Sequence, residues 1–236
     1  MIASELTANP MFGLTLTVVV YAMSLAIQRR VRWLHPLLVT CAVIMVLLTV
    51  TKIPLADYRA GGQMITIFLG PATVALAVPL YKHRAALRRH AIGIAITVCA
   101  GCLIGIASAF ACAWLLGGST LAVISVLPKS VTTPISMEVS RALAGSPELT
   151  AAITLGSGLV GAVIGIPLLR ATRLLKPSAG GLAMGISSHG VGTASILPIS
   201  ELHGTYAALG MALNGLLTAT ILTPLAPWIH RLLYGV

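Results

Sequence analysis

Acidic side chains are scarce in this chain: five aspartates and glutamates in 236 residues, with Asp57 the only aspartate. Charged residues of both signs make up 8% of the chain, against roughly 25% in a soluble domain. A water-facing surface cannot be covered with so few, and no separate soluble domain fits into the short polar stretches. A lone aspartate without a GxSxG nucleophile motif argues against a Ser/His/Asp hydrolase. A phosphate-cradling Walker loop, a dinucleotide glycine fingerprint and an HExxH zinc motif are missing too. A nucleotide-driven pump and a metalloenzyme are thereby disfavoured, and the expectation is no enzyme, no cofactor and no metal site. The four cysteines, Cys41, Cys99, Cys102 and Cys112, lie inside apolar runs. Cys99-Ala-Gly-Cys102 has a redox or metal spacing, but without further Cys or His beside it in sequence it reads as small-residue packing.

What is present is apolar. Hydrophobic residues make up 57% and the mean hydropathy is +0.99, which points to an integral membrane protein. At roughly 20 apolar residues per spanning helix, the length allows about six to eight membrane segments. The net charge of +10 is concentrated in short runs: Arg29, Arg30 and Arg32; Lys82, Arg84, Arg88 and Arg89; Arg170, Arg173 and Lys176. That is the positive-inside pattern, which sets topology and attracts anionic lipid. Loops 28–35, 82–90 and 170–178 are therefore expected in the cytoplasm, membrane lipid is an expected partner and nucleic acid is not. Glu5 ahead of the first apolar run, with the arginines after it, is the reverse of a cleavable signal.

The expected fold is an all-α membrane protein with about six spanning helices and two re-entrant or broken segments, forming one integral membrane domain over residues 1–236. Spans are read at Met11–Ile27, Pro36–Val50, Ala91–Leu116, Pro147–Leu169 and Tyr206–Leu225, with Lys52–Gly62 a polar loop. A third span, Gln63–Tyr81, is kinked or split at Gly70-Pro71-Ala72-Thr73 and at Pro79, since proline removes a backbone donor. Gly70, Pro71 and Thr73 are candidates for lining a cavity or acting as a hinge. Residues 117–236 read as two repeats, each an interrupted segment followed by a span. If both segments are re-entrant, one enters from outside and the other from the cytoplasm, the inverted-repeat plan of many secondary transporters. The alternative has both segments crossing the membrane.

The first interruption, Leu127–Ser140, holds a lysine, a glutamate, two prolines and five hydroxyl residues within an apolar chain. Lys129 and Glu138 would each be costly at bilayer depth, and intramembrane ionisable residues mark functional sites. Lys129, Ser130, Thr132 and Thr133 fall where two half-helices would meet, and a half-helix N-terminus favours an anion. Pro128 and Pro134 flank the break, and Pro134 suits the first turn of the second half-helix. Lys129 could instead snorkel to the surface or pair with Glu138. Glu138 is a proton-coupling candidate, or equally a counter-ion. The second interruption offers Ser188, His189, Gly190, Gly192 and Thr193, with His189 a proton carrier or a substrate donor. Asn214, in mid-span, reads as an interhelical hydrogen bond or a substrate contact. Gly156, Gly158, Gly161 and Gly165 form a small-residue stripe for packing.

The segments Phe68–Tyr81, Leu127–Met137 and Ser188–Ala194 resemble the LrgB/CidB family of bacterial membrane proteins, with SVTTPI and SHGxGT the specific motifs. The likeness covers nearly the whole chain; Ser136 stands where the family usually has alanine. The resemblance implies a bacterial cytoplasmic (inner) membrane protein. It also implies either of two functions. One is secondary transport of small 2-oxo or 2-hydroxy carboxylates of the pyruvate, glycolate, glycerate or lactate type, coupled to protons or sodium. The other is a holin- or anti-holin-like effect on murein hydrolase activity and autolysis beside a small partner of the LrgA/CidA type. Of the two, carboxylate transport is the leading expectation, with a homodimer as the expected assembly.

Overall fold

The computed structural model describes Thr7, residues 9–31, 35–68, Pro71, residues 74–75 and 77–234. Its chain falls into two compact units, Met1–Ala77 and Val78–Val236. Among the described residues all regular structure is helical, and four helices are long and apolar enough to cross a membrane.

In the first unit, α1 spans Pro10–Arg30, α2 Pro36–Thr51 and α3 Leu55–Thr66. The start of α1 is set locally: the Asn9 side chain accepts the Met11 N–H at 2.9 Å, and Pro10 supplies the preset φ of a first helical residue. Inside a membrane lipid is as apolar as leucine, so helices associate through close contact and hydrogen bonds. Both devices appear here. A Cβ on Gly13 would stand 2.4 Å from the Tyr58 carbonyl oxygen, and one on Gly61 2.3 Å from that of Pro10. Beside this backbone contact the Thr17 and Tyr58 hydroxyls meet at 2.9 Å. The contact between α1 and α3 corrects the expectation of a polar loop at Lys52–Gly62, because Gly61 lets a polar-looking segment pack as a helix. Farther along the same face of α1, Thr40 of α2 donates to Ser24 at 3.0 Å. At 16 residues, α2 is shorter than a full span. The expected hinge residues Gly70 and Thr73 lie outside the described residues, and Pro71 has helical backbone.

The short helix α4, Ala77–Lys82, leads into the second unit, which continues with α5 Arg84–Arg89, α6 Ala91–Leu115, α7 Thr120–Val126, α8 Thr133–Ala142, α9 Pro147–Ala171, α10 Pro177–Ile196 and α11 Glu201–Tyr234. The basic run 82–90 is thus largely helical rather than a loop. Its Lys82 donates to both carboxylate oxygens of Glu201, at 2.9 and 3.0 Å. The last helix starts earlier and ends later than the expected span, continuing through Pro224 and Pro227.

Three buried clusters fix the arrangement. Ile94 and Val98 of α6 pack with Leu182 and Ile186 of α10 and Tyr206 of α11. Farther along the same two helices, Ile106 and Phe110 of α6 and Leu222 of α11 close on Ile124, Leu127, Val139 and Leu143 of the α7–α8 region. Between these clusters the Cys102 thiol meets the Thr218 hydroxyl at 3.3 Å. So α6 and α11 run side by side in the same direction, with α10 at their N-terminal end and α7–α8 at their C-terminal end. In the third cluster, Leu169 of α9 joins Met184 and Ile196 of α10 and Ala207 of α11.

Candidate functional site

Both interruptions fold the chain back on itself. After α7, residues 127–132 form a turn, with the Val131 N–H donating to the Pro128 carbonyl at 3.3 Å. Thr132 takes the N-cap position of α8 without a side-chain cap bond, and Pro134 falls in the first turn. The Thr150 hydroxyl of α9 lies 2.8 Å from the Ser125 carbonyl and 2.7 Å from the Ser140 hydroxyl. The chain therefore passes one level of α9 both entering and leaving the turn. In α10 the reversal falls on His189, whose φ of 42° and ψ of −132° break the helix. The halves on either side touch: a Cβ on Gly192 would stand 2.5 Å from the Met184 carbonyl oxygen and 2.5 Å from the Ser188 Cβ. Only glycine fits there.

Asn214 joins the two breaks. It is fully buried on α11, and its amide donates to the Ser130 carbonyl at 3.0 Å and to the Ile186 carbonyl at 3.1 Å. Its Oδ1 has no hydrogen-bond partner among the described residues. Asn214 stands thirteen residues beyond Glu201, about 20 Å along the axis at 1.5 Å per residue. Ser130 also faces Gly105 of α6, where a Cβ would meet its hydroxyl at 3.3 Å. The first interruption thus reaches the middle of two long helices.

His189 is 3% exposed and its Nε2 lies 3.0 Å from the Thr154 carbonyl oxygen. A carbonyl only accepts, so Nε2 carries the hydrogen. The Thr154 hydroxyl donates to Ser136 at 3.1 Å, and the Ser136 hydroxyl in turn donates to the Thr133 carbonyl at 2.9 Å. Thr193 donates to the His189 carbonyl at 2.8 Å, and Ser188 shares a hydrogen bond with Ser187 at 3.0 Å. Thr150 and Thr154, missed in the sequence, hold this chain together; two threonines at i and i+4 on an apolar helix were the available signal. Three glycines of the expected stripe pack on α10. Cβ atoms would meet the His189 ring at Gly158, the Ser188 hydroxyl at Gly161 and Met184 sulfur at Gly165, while Gly156 faces open space.

The ionisable candidates part company. Lys129 is half-buried and its ammonium donates to the Ser130 hydroxyl at 3.4 Å; among the described residues no carboxylate pairs with it. Glu138 points away, exposed and paired with Arg141 one turn on, so the alternative of a Lys129–Glu138 pair is corrected. Gly190 is exposed, its nearest neighbour the Met211 sulfur at 3.9 Å from a built Cβ. Among the described residues no three His, Cys, Asp or Glu side chains gather to hold a metal.

The backbone at His189 carries a prediction. A positive φ is costly for residues with a Cβ and free for glycine. Both His189→Gly and His189→Ala lose the bond to Thr154, so the glycine variant should be the more stable by about 1 kcal/mol. Unfolding in mixed detergent micelles measures the difference, and equal stabilities would contradict the left-handed geometry.

Fold and site together define an all-α, multi-helix membrane protein built around two broken helical segments tied by one buried amide. The chain belongs to the LrgB-like family, which matches residues 17–228. It is similar to YwbG of Bacillus subtilis (strain 168), described as an uncharacterized protein: 38% identity over 209 residues, 87% of this chain and 92% of that one. A Haemophilus influenzae protein, also described as uncharacterized, is 34% identical over 219 residues, 91% of this chain and 93% of its own. The antiholin-like protein LrgB of Bacillus cereus (strain B4264) is 27% identical over 226 residues, 94% of this chain and 98% of its own. No solved structure matches. Full-length similarity to proteins named antiholin-like overturns the expectation of a secondary carboxylate transporter.

Proposed function

We propose that the chain is an antiholin-like protein of the bacterial cytoplasmic membrane, restraining a small holin-like membrane partner of the LrgA/CidA type. The observation that carries this reading is the end-to-end similarity to relatives named antiholin-like, which spans 94% of the chain. The surface is compatible with it. The outward side of α9 is apolar, with Val160, Ile164 and Leu168 more than half exposed, while Asn214, His189, Thr154 and Ser136 spend their hydrogen bonds inside the chain. Lateral packing against another membrane helix suits such a surface.

The finer topology belongs to the same proposal. The two folded-back segments are re-entrant, entering from opposite faces as an inverted pair, and the runs 82–90 and 170–178 lie in the cytoplasm. The ion pair of Lys82 with Glu201 supports this, because it sets the exit of the second segment beside the basic run that precedes α6.

Co-expression with a small holin-like protein in a bacterial host tests the function. Depolarisation and lysis should come later when the chain is in the membrane than when it is absent. An unchanged lysis curve, with the chain shown to be present in the membrane, would remove the reading.

A further inference from the structure

A cavity of about 270 Å3 opens between the start of α6 and the start of α10. We propose that it binds the phosphate headgroup of an anionic phospholipid, whose acyl chain continues down the apolar side of the same groove. The site does not depend on the antiholin-like reading.

The cavity is amphiphilic in a definite order. Its polar groups are His90, Thr97 and Ser178, and its apolar walls are Ile94 and Leu182. Both walls belong to the buried cluster that continues along α6 and α10 through Val98 and Ile186. Two small residues, Gly93 and Ala179, keep it open. His90 and Ser178 are exposed, and among the described residues neither side chain has a hydrogen-bond partner within the chain. The Thr97 hydroxyl donates to Gly93 and keeps its lone pairs free.

Charge selects the ligand. His90 directly follows Arg88 and Arg89, and Ser178 lies two residues after Lys176, all exposed. Residues 82–90 and 170–178, the two runs that lead into the helices walling the cavity, contain no Asp or Glu. The nearby Glu201 is already engaged by Lys82. A cationic rim over an apolar groove matches a phosphodiester lipid, where each basic residue near a membrane surface adds attraction for anionic lipid. The N–H groups in the first turns of α6 and α10 lack intrahelical acceptors, Pro177 having no N–H to offer, and such N–H groups favour an anion.

Purified protein in neutral detergent is titrated separately with phosphatidylglycerol, phosphatidylcholine and inorganic phosphate, reading melting temperature and lipid retention by native mass spectrometry. Phosphatidylglycerol should raise the melting temperature and stay bound, and the other two should do neither. Two variants probe the cavity. Ser178→Asp puts a repelling charge at the mouth while favouring the first turn of α10. Gly93→Leu fills the space where an added Cβ meets nothing within 4 Å. Each should retain phosphatidylglycerol about tenfold less than the parent, with an unchanged melting temperature in phosphatidylcholine. Equal stabilisation by phosphatidylcholine, an effect of free phosphate matching that of the lipid, or full retention by both variants would each overturn the proposal.

Discussion

Replacing Gly185 by alanine should cost about 2–3 kcal/mol of stability, the upper part of the usual range for forcing extra volume into a packed interior. The added Cβ would stand 2.0 Å from the Ala207 carbonyl oxygen and 2.8 Å from its carbon. Both are backbone atoms of α11, so no side chain can swing aside and the two helices must separate. Gly181, one turn earlier, meets the His203 carbonyl oxygen at 2.6 Å in the same way. Gly156→Ala on α9 is the control. Its Cβ meets nothing within 4 Å, and the gain in helix propensity makes it neutral or stabilising by up to about 1 kcal/mol. The opposite signs of two chemically identical changes are the readout, by denaturant titration in mixed micelles. A Gly185→Ala protein as stable as the parent would mean that α10 and α11 do not touch through their backbones.

Asn214→Leu should be the more disruptive change to function. It strips both carbonyls, of Ser130 and of Ile186, of the side-chain donor that Asn214 gives them, and a buried acceptor left bare costs about 1–3 kcal/mol. Asn214→Asp separates the donor from the shape. It keeps an oxygen in place of the already unpartnered Oδ1, but it sets a second oxygen against two carbonyls. Both variants should therefore lose stability and, under the antiholin-like function proposed above, the delay of lysis. If the aspartate protein kept the parent's stability, the two amide bonds could not be what joins the breaks.

Much of this was readable in the chain before any coordinates. The span starts expected at Met11, Pro36 and Pro147 lie at or within one residue of the helix starts at Pro10, Pro36 and Pro147. The positions of both breaks were readable too, because prolines 128 and 134 and the Ser-Ser-His-Gly run have no place in a continuous membrane helix. What escaped reading depends on distant neighbours. Leu55–Thr66 carries Asp57, Arg59 and Gln63 and looks like a loop; it is a helix because Gly61 meets Gly13, forty-eight positions away. Glu138 could not be assigned a partner from composition, and it took Arg141 rather than Lys129. The contact of Gly181 and Gly185 with α11 was written in the sequence as a G-x-x-x-G spacing, but spacing alone does not say which helix it meets.

At 34 residues, α11 is about 51 Å long, against 40–45 Å for a bilayer with its headgroups. It is moored near both ends: Glu201 is held by Lys82, and exposed Trp228 carries the Arg231 guanidinium 6.0 Å from its ring centre. An apolar stretch longer than the hydrocarbon it crosses is accommodated by tilting, kinking or local thickening of the bilayer, and Pro224 and Pro227 give α11 a place to kink. Asn214 sits between Glu201 and Trp228, so any tilting of α11 in a thinner or thicker membrane would act on the seam between the two breaks.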